Sequence, residues 1–337
     1  MTETLAAVRG ARGAWLAASI GVVMLVTIAL VAVAVGAVSV PLREVLSALT
    51  GSGDASIVAI VRDLRLPRVL LAGCVGAGLA MSGGALQGTL RNPLAEPYLL
   101  GVSGGAAVGA VLLLGAGVSN PLLLTLGAFG GAAAATLLVA AIARVVGGSG
   151  DTRLLLMAGV VVGAFSNAAI LVALADSPPE RIRGALWWMM GSAADASWPS
   201  LMRVALAVTM LGALLLWWAR DLDVLVLGDE PAAALGVDVD RAARRVFLVA
   251  SWLAAATVAA AGLIGFVGLV VPNLARALGA RRHRPMMVVS AIYGAVLLIA
   301  ADLLARTLRA PADLPLGAVT ALIGVPFFLT RLRKLAP

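Results

Sequence analysis

The chain has 337 residues, of which 61% are hydrophobic and 12% are charged. A soluble domain usually carries about a quarter charged residues, so this composition excludes an ordinary soluble protein and indicates an integral membrane protein. The net charge of +8 does not indicate a nucleic-acid-binding protein, because the basic residues stand between apolar runs instead of clustering with aromatic residues.

Apolar stretches of about 20 residues can cross a membrane as helices. We predict an all-α polytopic fold with about ten transmembrane helices in one transmembrane domain over residues 1–337. The predicted spans lie near 15–38, 68–88, 98–117, 121–144, 154–175, 199–219, 245–262, 263–279, 286–307 and 314–331. Only glycines interrupt the run from Arg245 to Arg276, so the seventh and eighth spans could instead form a re-entrant pair.

The charge pattern predicts the orientation of these spans. Arg9 and Arg12 precede an apolar run from Trp15 to Val40 that is too long for the core of a signal peptide, so we expect it to be the first span. With the N-terminus in the cytoplasm, 16 of the 25 basic residues fall on the cytoplasmic side, in agreement with the positive-inside rule. An even number of spans then returns the C-terminus to the cytoplasm.

Small residues recur at intervals of four in the second and third spans. Such spacing lets helix backbones approach closely in lipid and predicts a compact bundle. The residues are Gly76, Ala80, Gly84 and Gly88, followed by Gly101, Gly105 and Gly109.

Two polar stretches are expected at the outer surface. Arg62, Arg65 and Arg68 precede or begin a helix that Pro67 is expected to start, and they form a compact basic patch. Its function is either interfacial anchoring or docking of an acidic protein surface. Near the outer end of the ninth span, Asp302 is the one acidic residue that we place inside a span, and it can pair with Arg306 one turn away.

Two more polar stretches are expected on the inner side. The segment from Gln87 to Pro97 contains Asn-Pro and Glu-Pro turns. The largest inner loop, about 221–245, contains a short helix that Asp229 can cap and Gly236 can end, with Asp238 or Asp240 starting the next helix. A short capped helix of this kind suits docking to a soluble protein.

Motifs for several chemistries are missing from the sequence. It has no phosphate-binding loop, since Gly147 to Gly150 lack the following Lys-Ser/Thr, so we expect no ATP binding by the chain itself. Cys74 is the only cysteine, and His283, the only histidine, is expected to belong to the inner basic cluster. We therefore predict no metal site, no cofactor and no catalytic residues.

The polar stretches together resemble the FecCD-type family, the permeases of ABC importers for ferric siderophores, haem and cobalamin. The resemblance runs in family order from about residue 65 to the C-terminus, and it departs at Asn273, where family members commonly have His. The matching segments are Arg65-Leu-Pro-Arg68, Gln87-Gly with Arg91-Asn-Pro-Leu-Ala95, Leu100-Gly-Val-Ser103, Leu227-Gly-Asp-Glu230 with Leu235-Gly-Val237, Gly265-Phe-Val-Gly-Leu-Val-Val-Pro272, Ala301-Asp302 with Ala305-Arg306, and Leu314-Pro with Gly317, Thr320-Ala-Leu-Ile-Gly324 and Pro326.

The resemblance implies a permease subunit of an importer in the bacterial inner membrane, with a bundle like that of a cobalamin importer permease. Such a subunit moves an iron chelate (siderophore or haem) or cobalamin from periplasm to cytoplasm, and is not itself an enzyme. Its implied partners are a second copy of itself, two ATPase subunits and a periplasmic binding protein.

The resemblance also implies roles for particular residues. Coupling to the ATPase falls on about Asp229 to Arg241, and docking of the binding protein falls on Arg65, Arg68 and Arg306. An inner gate falls on the loop from Ser149 to Arg153, and the segments 154–175 and 178–191 border the pathway. The coupling residues are Asp229, Glu230, Ala233, Leu235, Gly236 and Arg241, and the gate residues are Ser149, Asp151 and Thr152.

Two other classes of function remain open from the residues alone. An ion-coupled secondary transporter would need intramembrane carboxylates, of which the sequence offers one, already close to an arginine. A membrane-embedded enzyme would need a ligand set or a nucleophile–base pair within the spans, and none is evident.

Overall fold

The computed structural model describes residues 2–36, 38–146 and 152–332, and over these ranges the chain is helical without strands. Fifteen α-helices occur in this part of the chain. They are α1 (Thr2–Ala34), α2 (Leu42–Leu49), α3 (Ala55–Ala59), α4 (Leu66–Thr89), α5 (Val102–Gly115), α6 (Pro121–Val146), α7 (Thr152–Ala175), α8 (Pro179–Met189), α9 (Trp198–Trp217), α10 (Ala219–Leu225), α11 (Asp229–Ala234), α12 (Val239–Ala261), α13 (Val267–Ala277), α14 (His283–Thr307) and α15 (Leu316–Leu332).

Ten of these helices correspond to the ten predicted spans. Within the described residues, seven are long and apolar enough to cross a membrane, and α5, α13 and α15 are shorter apolar helices. The all-α polytopic fold is therefore confirmed, with the remaining short helices α2, α3, α8, α10 and α11 lying between the spans.

Helix α4 lies at the centre of the bundle, where it packs against α9, α12, α13 and α14. The small residues of α4 make these contacts close. A Cβ atom added at Gly76 would overlap the carbonyl of Gly294 on α14, and one added at Gly83 would overlap the carbonyl of Gly268 on α13. Gly76 belongs to the glycine series predicted from the sequence, which thus marks a real helix crossing, whereas Gly83 lies outside that series.

The segment from Arg62 to Arg68 differs from its prediction. We expected a loop before a helix that starts at Pro67, whereas α3 runs through a π-helical stretch, Ile60–Arg65, directly into α4. Pro67 has no N–H to donate to this continuous run, and the carbonyl of Arg62, five residues earlier, accepts the indole N–H of Trp198 at 3.1 Å.

The seventh and eighth predicted spans correspond to two separate helices, α12 and α13. Helix α12 is full length, but α13 has only 11 residues. Between them Gly262 adopts a left-handed φ of 73°, and an added Cβ there would overlap the carbonyl of Trp188. The chain between α12 and α13 is therefore non-helical from Gly262 to Phe266.

Polar contacts collect at two opposite ends of the bundle. At one end, called the Arg91 end, the loop after α4 meets α10 and α11. At the other, called the Arg68 end, the start of α4 meets the end of α14. The predicted spans alternate in direction along the chain. Successive connections between spans therefore lie at opposite ends of the bundle.

Candidate functional site

The connection from α9 to α12 forms an ordered surface at the Arg91 end. Helices α10 and α11 both lie in this connection, and α11 is the short helix predicted from Asp229 to Gly236. Within α11, Ala232 is fully buried and faces the rest of the bundle. All six predicted coupling residues are exposed at this surface, namely Asp229, Glu230, Ala233, Leu235, Gly236 and Arg241.

An ion pair fixes α11 to the rest of the bundle. The guanidinium of Arg91 bonds to the carboxylate of Asp229, and its Nε donates to the carbonyl oxygen of Leu225 at 2.7 Å. We expected Asp229 to cap α11 through its side chain, but the cap position is Gly228 and Asp229 is the first helical residue. Its carboxylate instead bridges to the loop that follows α4.

The ends of α11 and α12 follow the sequence signals more closely. Gly236 has a left-handed φ of 81°, which a β-branched residue resists. Asp238 caps α12 by accepting the backbone N–H of Arg241 at 3.1 Å, and the two side chains also form an ion pair at 3.0 Å. The side chains of Leu227 and Leu235 remain 61% and 63% exposed, so this surface offers apolar as well as charged groups.

The three predicted docking arginines lie together at the Arg68 end. Arg68 forms ion pairs with Asp302 and Asp313, both at 2.9 Å. Asp302 also lies 3.6 Å from Arg306, as its spacing in the sequence suggested. A single carboxylate thus lies between two guanidinium groups.

These arginines differ from the surface patch that we expected. Arg65 and Arg306 are only 8% and 7% exposed. Arg65 donates to the carbonyls of Val33, Ala34 and Val38, where α1 ends. Arg306 likewise donates to the carbonyl of Ala32. Both groups therefore satisfy helix-end carbonyls inside the chain, and their docking role stays a prediction.

The predicted inner gate is only partly within the described residues. Ser149 and Asp151 lie outside them, and Thr152 is the first residue of α7. Helix α7, which was predicted to border the pathway, exposes a broad apolar face that includes Val160, Phe165 and Val172.

A buried carboxylate near the centre escaped the sequence interpretation. We placed Glu96 in a turn on the inner side, but its residue is 8% exposed and its carboxylate accepts the backbone N–H of Phe266 at 2.6 Å. Phe266 itself has a left-handed φ of 69°, just before α13. The contact joins the loop after α4 to the start of α13. In the sequence, the Glu-Pro dipeptide indicates a turn here but not this partner.

Asn273, the position that departs from the family pattern, strengthens the same connection. Its amide nitrogen donates to the carbonyl oxygens of Pro93 and Leu269, at 3.1 and 2.8 Å. Its carbonyl oxygen accepts from Arg276, which also donates to Gln87 at 2.8 Å. A polar network therefore holds α13 against α4 and its following loop.

His283 is not simply part of a basic surface cluster. It is 7% exposed, and its ring Nδ1 lies 2.7 Å from the carboxylate of Asp223 on α10. Burial by itself would raise the pKa of Asp223, but the side-chain and backbone hydrogen bonds of His283 outweigh it and hold that pKa below the ordinary value. The pair fastens α10 to the start of α14.

Comparisons with known proteins identify the family of this bundle. The profile of the FecCD transport family matches residues 23–334. The cobalamin import system permease protein BtuC of Halobacterium salinarum is 44% identical over 81% of this chain and 73% of its own length. The hemin transport system permease protein HmuU of Yersinia pestis is 42% identical over 91% of this chain and 92% of its own length.

A solved structure with a similar fold also comes from an ABC transporter. It is described as an inward-facing conformation of a metal-chelate type ABC transporter, and it shares 30% of its sequence with this chain. The two structures superpose with a TM-score of 0.85 over 94% of this chain and 98% of the other. The helical bundle, its polar ends and these matches have one common explanation, namely that the chain belongs to the FecCD transport family.

Proposed function

We propose that two copies of this chain form the membrane pathway of an importer for a large metal chelate, such as haem, a ferric siderophore or cobalamin. The chain is a multi-pass permease subunit of the ABC importer class. In the proposal, the chelate enters at the Arg68 end on the periplasmic side of the inner membrane. It leaves at the Arg91 end in the cytoplasm, where both termini also lie.

The exposed surface of α11 is the observation that carries the proposal. It combines a rigid short helix, an ion pair that fixes its base and two exposed leucines, Leu227 and Leu235. A soluble protein can bury those leucines, and movement of α11 would reach α4 through Asp229 and Arg91. This arrangement supports docking of separate ATPase subunits here and coupling through the six residues predicted for that role.

The proposal of a second copy rests on the apolar faces of α7 and α15. Helix α15 exposes Leu322 at 76% and Leu329 at 54%, and α7 exposes Phe165 at 70%. Lipid could cover such faces, but a pathway for a large chelate needs more lining than one compact bundle offers. Segment 178–191, which contains α8, would border the same pathway, with Ser149, Asp151 and Thr152 near its inner gate.

The substrate class is proposed from the relatives. Their names specify cobalamin and hemin, which are both large metal chelates. A periplasmic binding protein would deliver the chelate at the Arg68 end, where Arg68 is the least buried of the three predicted docking residues and Arg65 and Arg306 support it from inside. Since two of these are buried, docking through them would require the local surface to open.

ATP dependence tests the proposal directly. The chain is purified alone, reconstituted with the ATPase subunits of its own importer, and supplied with binding protein loaded with haem, a ferric siderophore or cobalamin. We expect no saturable ATP binding by the chain alone and chelate uptake only when ATPase subunits and ATP are both present. Uptake driven by an ion gradient without ATPase subunits would instead favour a secondary transporter.

A further inference from the structure

A basic cavity of about 540 Å³ opens at the Arg91 end, beside the last turn of α9. On one side it is lined by Leu216 and Trp217 of α9 and by Trp218, which follows that helix. On the other side it is lined by Arg220, Asp221, Arg245 and Arg284. The three arginines come from different parts of the chain, namely α10, α12 and α14. The fold therefore assembles this cavity, which no single segment of the sequence contains.

The charges of the cavity are only partly neutralised within the chain. Arg245 forms an ion pair with Asp221, and its guanidinium lies 4.9 Å from the ring centre of Trp218. Arg220 and Arg284 are exposed, and neither has a hydrogen-bond or ion-pair partner among the described side chains. Two positive charges are thus available to an anion from outside the chain.

An apolar stripe leads from the cavity along the membrane-spanning helix. Trp217 is 83% exposed, and Leu214, Met210 and Leu206 follow on the same face at intervals of three or four residues, at 42%, 60% and 62% exposure. Tryptophan is enriched where a membrane helix meets the headgroup layer. The cavity therefore lies where a lipid headgroup would be, and the stripe lies where its acyl chains would be.

We infer that this cavity binds the phosphate headgroup of an anionic phospholipid in the leaflet at the Arg91 end, with the acyl chains along the exposed stripe of α9. Planar guanidinium groups suit phosphate oxygens, and basic pockets between membrane helices on the cytoplasmic side recognise anionic headgroups. The ligand is a lipid rather than an ATPase subunit, because the stripe continues into the hydrocarbon region, which a soluble subunit cannot reach.

This inference goes beyond the proposed function and rests on it for the orientation, which places the Arg91 end in the cytoplasm. A lipid bound here would hold together α9, α10, α12 and α14, from which or next to which the lining residues come. It would therefore stabilise the connection that carries α11 without taking part in transport itself.

Lipid retention by the purified full-length chain tests the inference. The chain is delipidated in mild detergent and titrated with phosphatidylglycerol or with phosphatidylcholine of the same acyl composition, and bound lipid is counted by native mass spectrometry. We expect tight binding of phosphatidylglycerol only. The double variant Arg220→Gln with Arg284→Gln should bind it roughly 10- to 30-fold more weakly, because each arginine contributes separately to the attraction.

Arg43→Gln with Arg309→Gln provides the matched control, since both arginines are exposed at the Arg68 end and the loss of charge is the same. We expect this control to bind phosphatidylglycerol like the parent. Arg220→Lys with Arg284→Lys keeps both charges and should retain most of the binding, which separates loss of the site from loss of the fold.

Equal binding of the two lipids, or unchanged phosphatidylglycerol binding in the Gln double variant, would overturn the inference. Unchanged lipid binding together with weaker ATPase docking would also overturn it and assign the cavity to the protein partner. Failure of ATP-driven transport in the parent would contradict the proposed function but leave this lipid result unaffected.

Discussion

Arg68 and Asp302 join the ends of two helices that are 234 residues apart in the chain. The Nε of Arg68 lies 3.0 and 3.1 Å from the two carboxylate oxygens, and its Nη2 lies 2.9 Å from Oδ1. The side chain of Asp302 is 2% exposed, so this contact is made away from water. It locks α4 and α14 together at the Arg68 end.

Replacing Asp302 should destabilise the bundle strongly. Asp302→Asn leaves Arg68 and Arg306 without their shared buried carboxylate, and breaking a buried ion pair costs about 3–5 kcal/mol. Thermal unfolding of the purified chain in detergent measures the loss. Asp313→Asn is the control, because among the described residues Asp313 forms its ion pair with Arg68 and its side chain is 26% exposed. Equal losses in the two variants would contradict a central role for Asp302.

Arg65 should be needed for folding more than for docking. Arg65→Gln removes hydrogen bonds to the carbonyls that end α1, each charged bond being worth about 1.5–3 kcal/mol. We expect lower thermal stability, and reduced capture of the binding protein only in proportion to the unfolded fraction. Arg62→Gln, at an exposed position one turn away, should change neither. A stable Arg65→Gln protein with weak capture would instead show direct docking.

The contacts of these arginines, compared with the predictions from the sequence, show what local sequence patterns can and cannot predict. Hydropathy located a helix at each of the ten predicted positions, seven of them long enough to cross a membrane within the described residues, because such a signal depends on about 20 neighbouring residues. Gly236 and the Asp238 cap were also predictable, because turn and cap signals act within a few residues. The pairings of Arg68 with Asp302 and of Glu96 with Phe266 depend on how distant helices pack, which no local window contains.

The α4–α13 crossing should not tolerate a methyl group. A Cβ atom at Gly83 would overlap the carbonyl of Gly268, and backbone on both sides prevents an easy shift. We expect Gly83→Ala to lower the yield of folded protein and its thermal stability. Gly130→Ala on α6, where an added Cβ meets nothing within 4 Å, should leave both unchanged. A Gly83→Ala protein as stable as the parent would mean that the two helices can separate at little cost.

The turn after α11 should affect coupling without affecting insertion. Gly236→Val introduces a β-branched residue at a φ of 81°, which costs about 1–3 kcal/mol, although the space around it is open. We expect normal membrane insertion but weaker ATP-driven uptake in proteoliposomes with the ATPase subunits. Gly130→Val also enters open space, but in ordinary helical backbone, and should transport normally. Uptake unchanged by Gly236→Val would argue against coupling through this turn.

The ion pair between Arg91 and Asp229 allows the strictest test of coupling, because the two residues are 138 positions apart and connect α11 to the loop after α4. Asp229→Arg places two like charges together and should reduce ATP-driven uptake roughly fivefold, as expected for a coupling energy of ~1 kcal/mol. Arg91→Asp should be worse, since it also removes the bond to the carbonyl of Leu225.

Exchanging the two charges should recover part of this loss. In the double variant the ion pair can form again in reverse, but the bond to Leu225 cannot, so we expect uptake above either single variant and below the parent. If the effects of the two single changes at Arg91 and Asp229 simply add in the double variant, the ion pair does not transmit motion between α11 and α4.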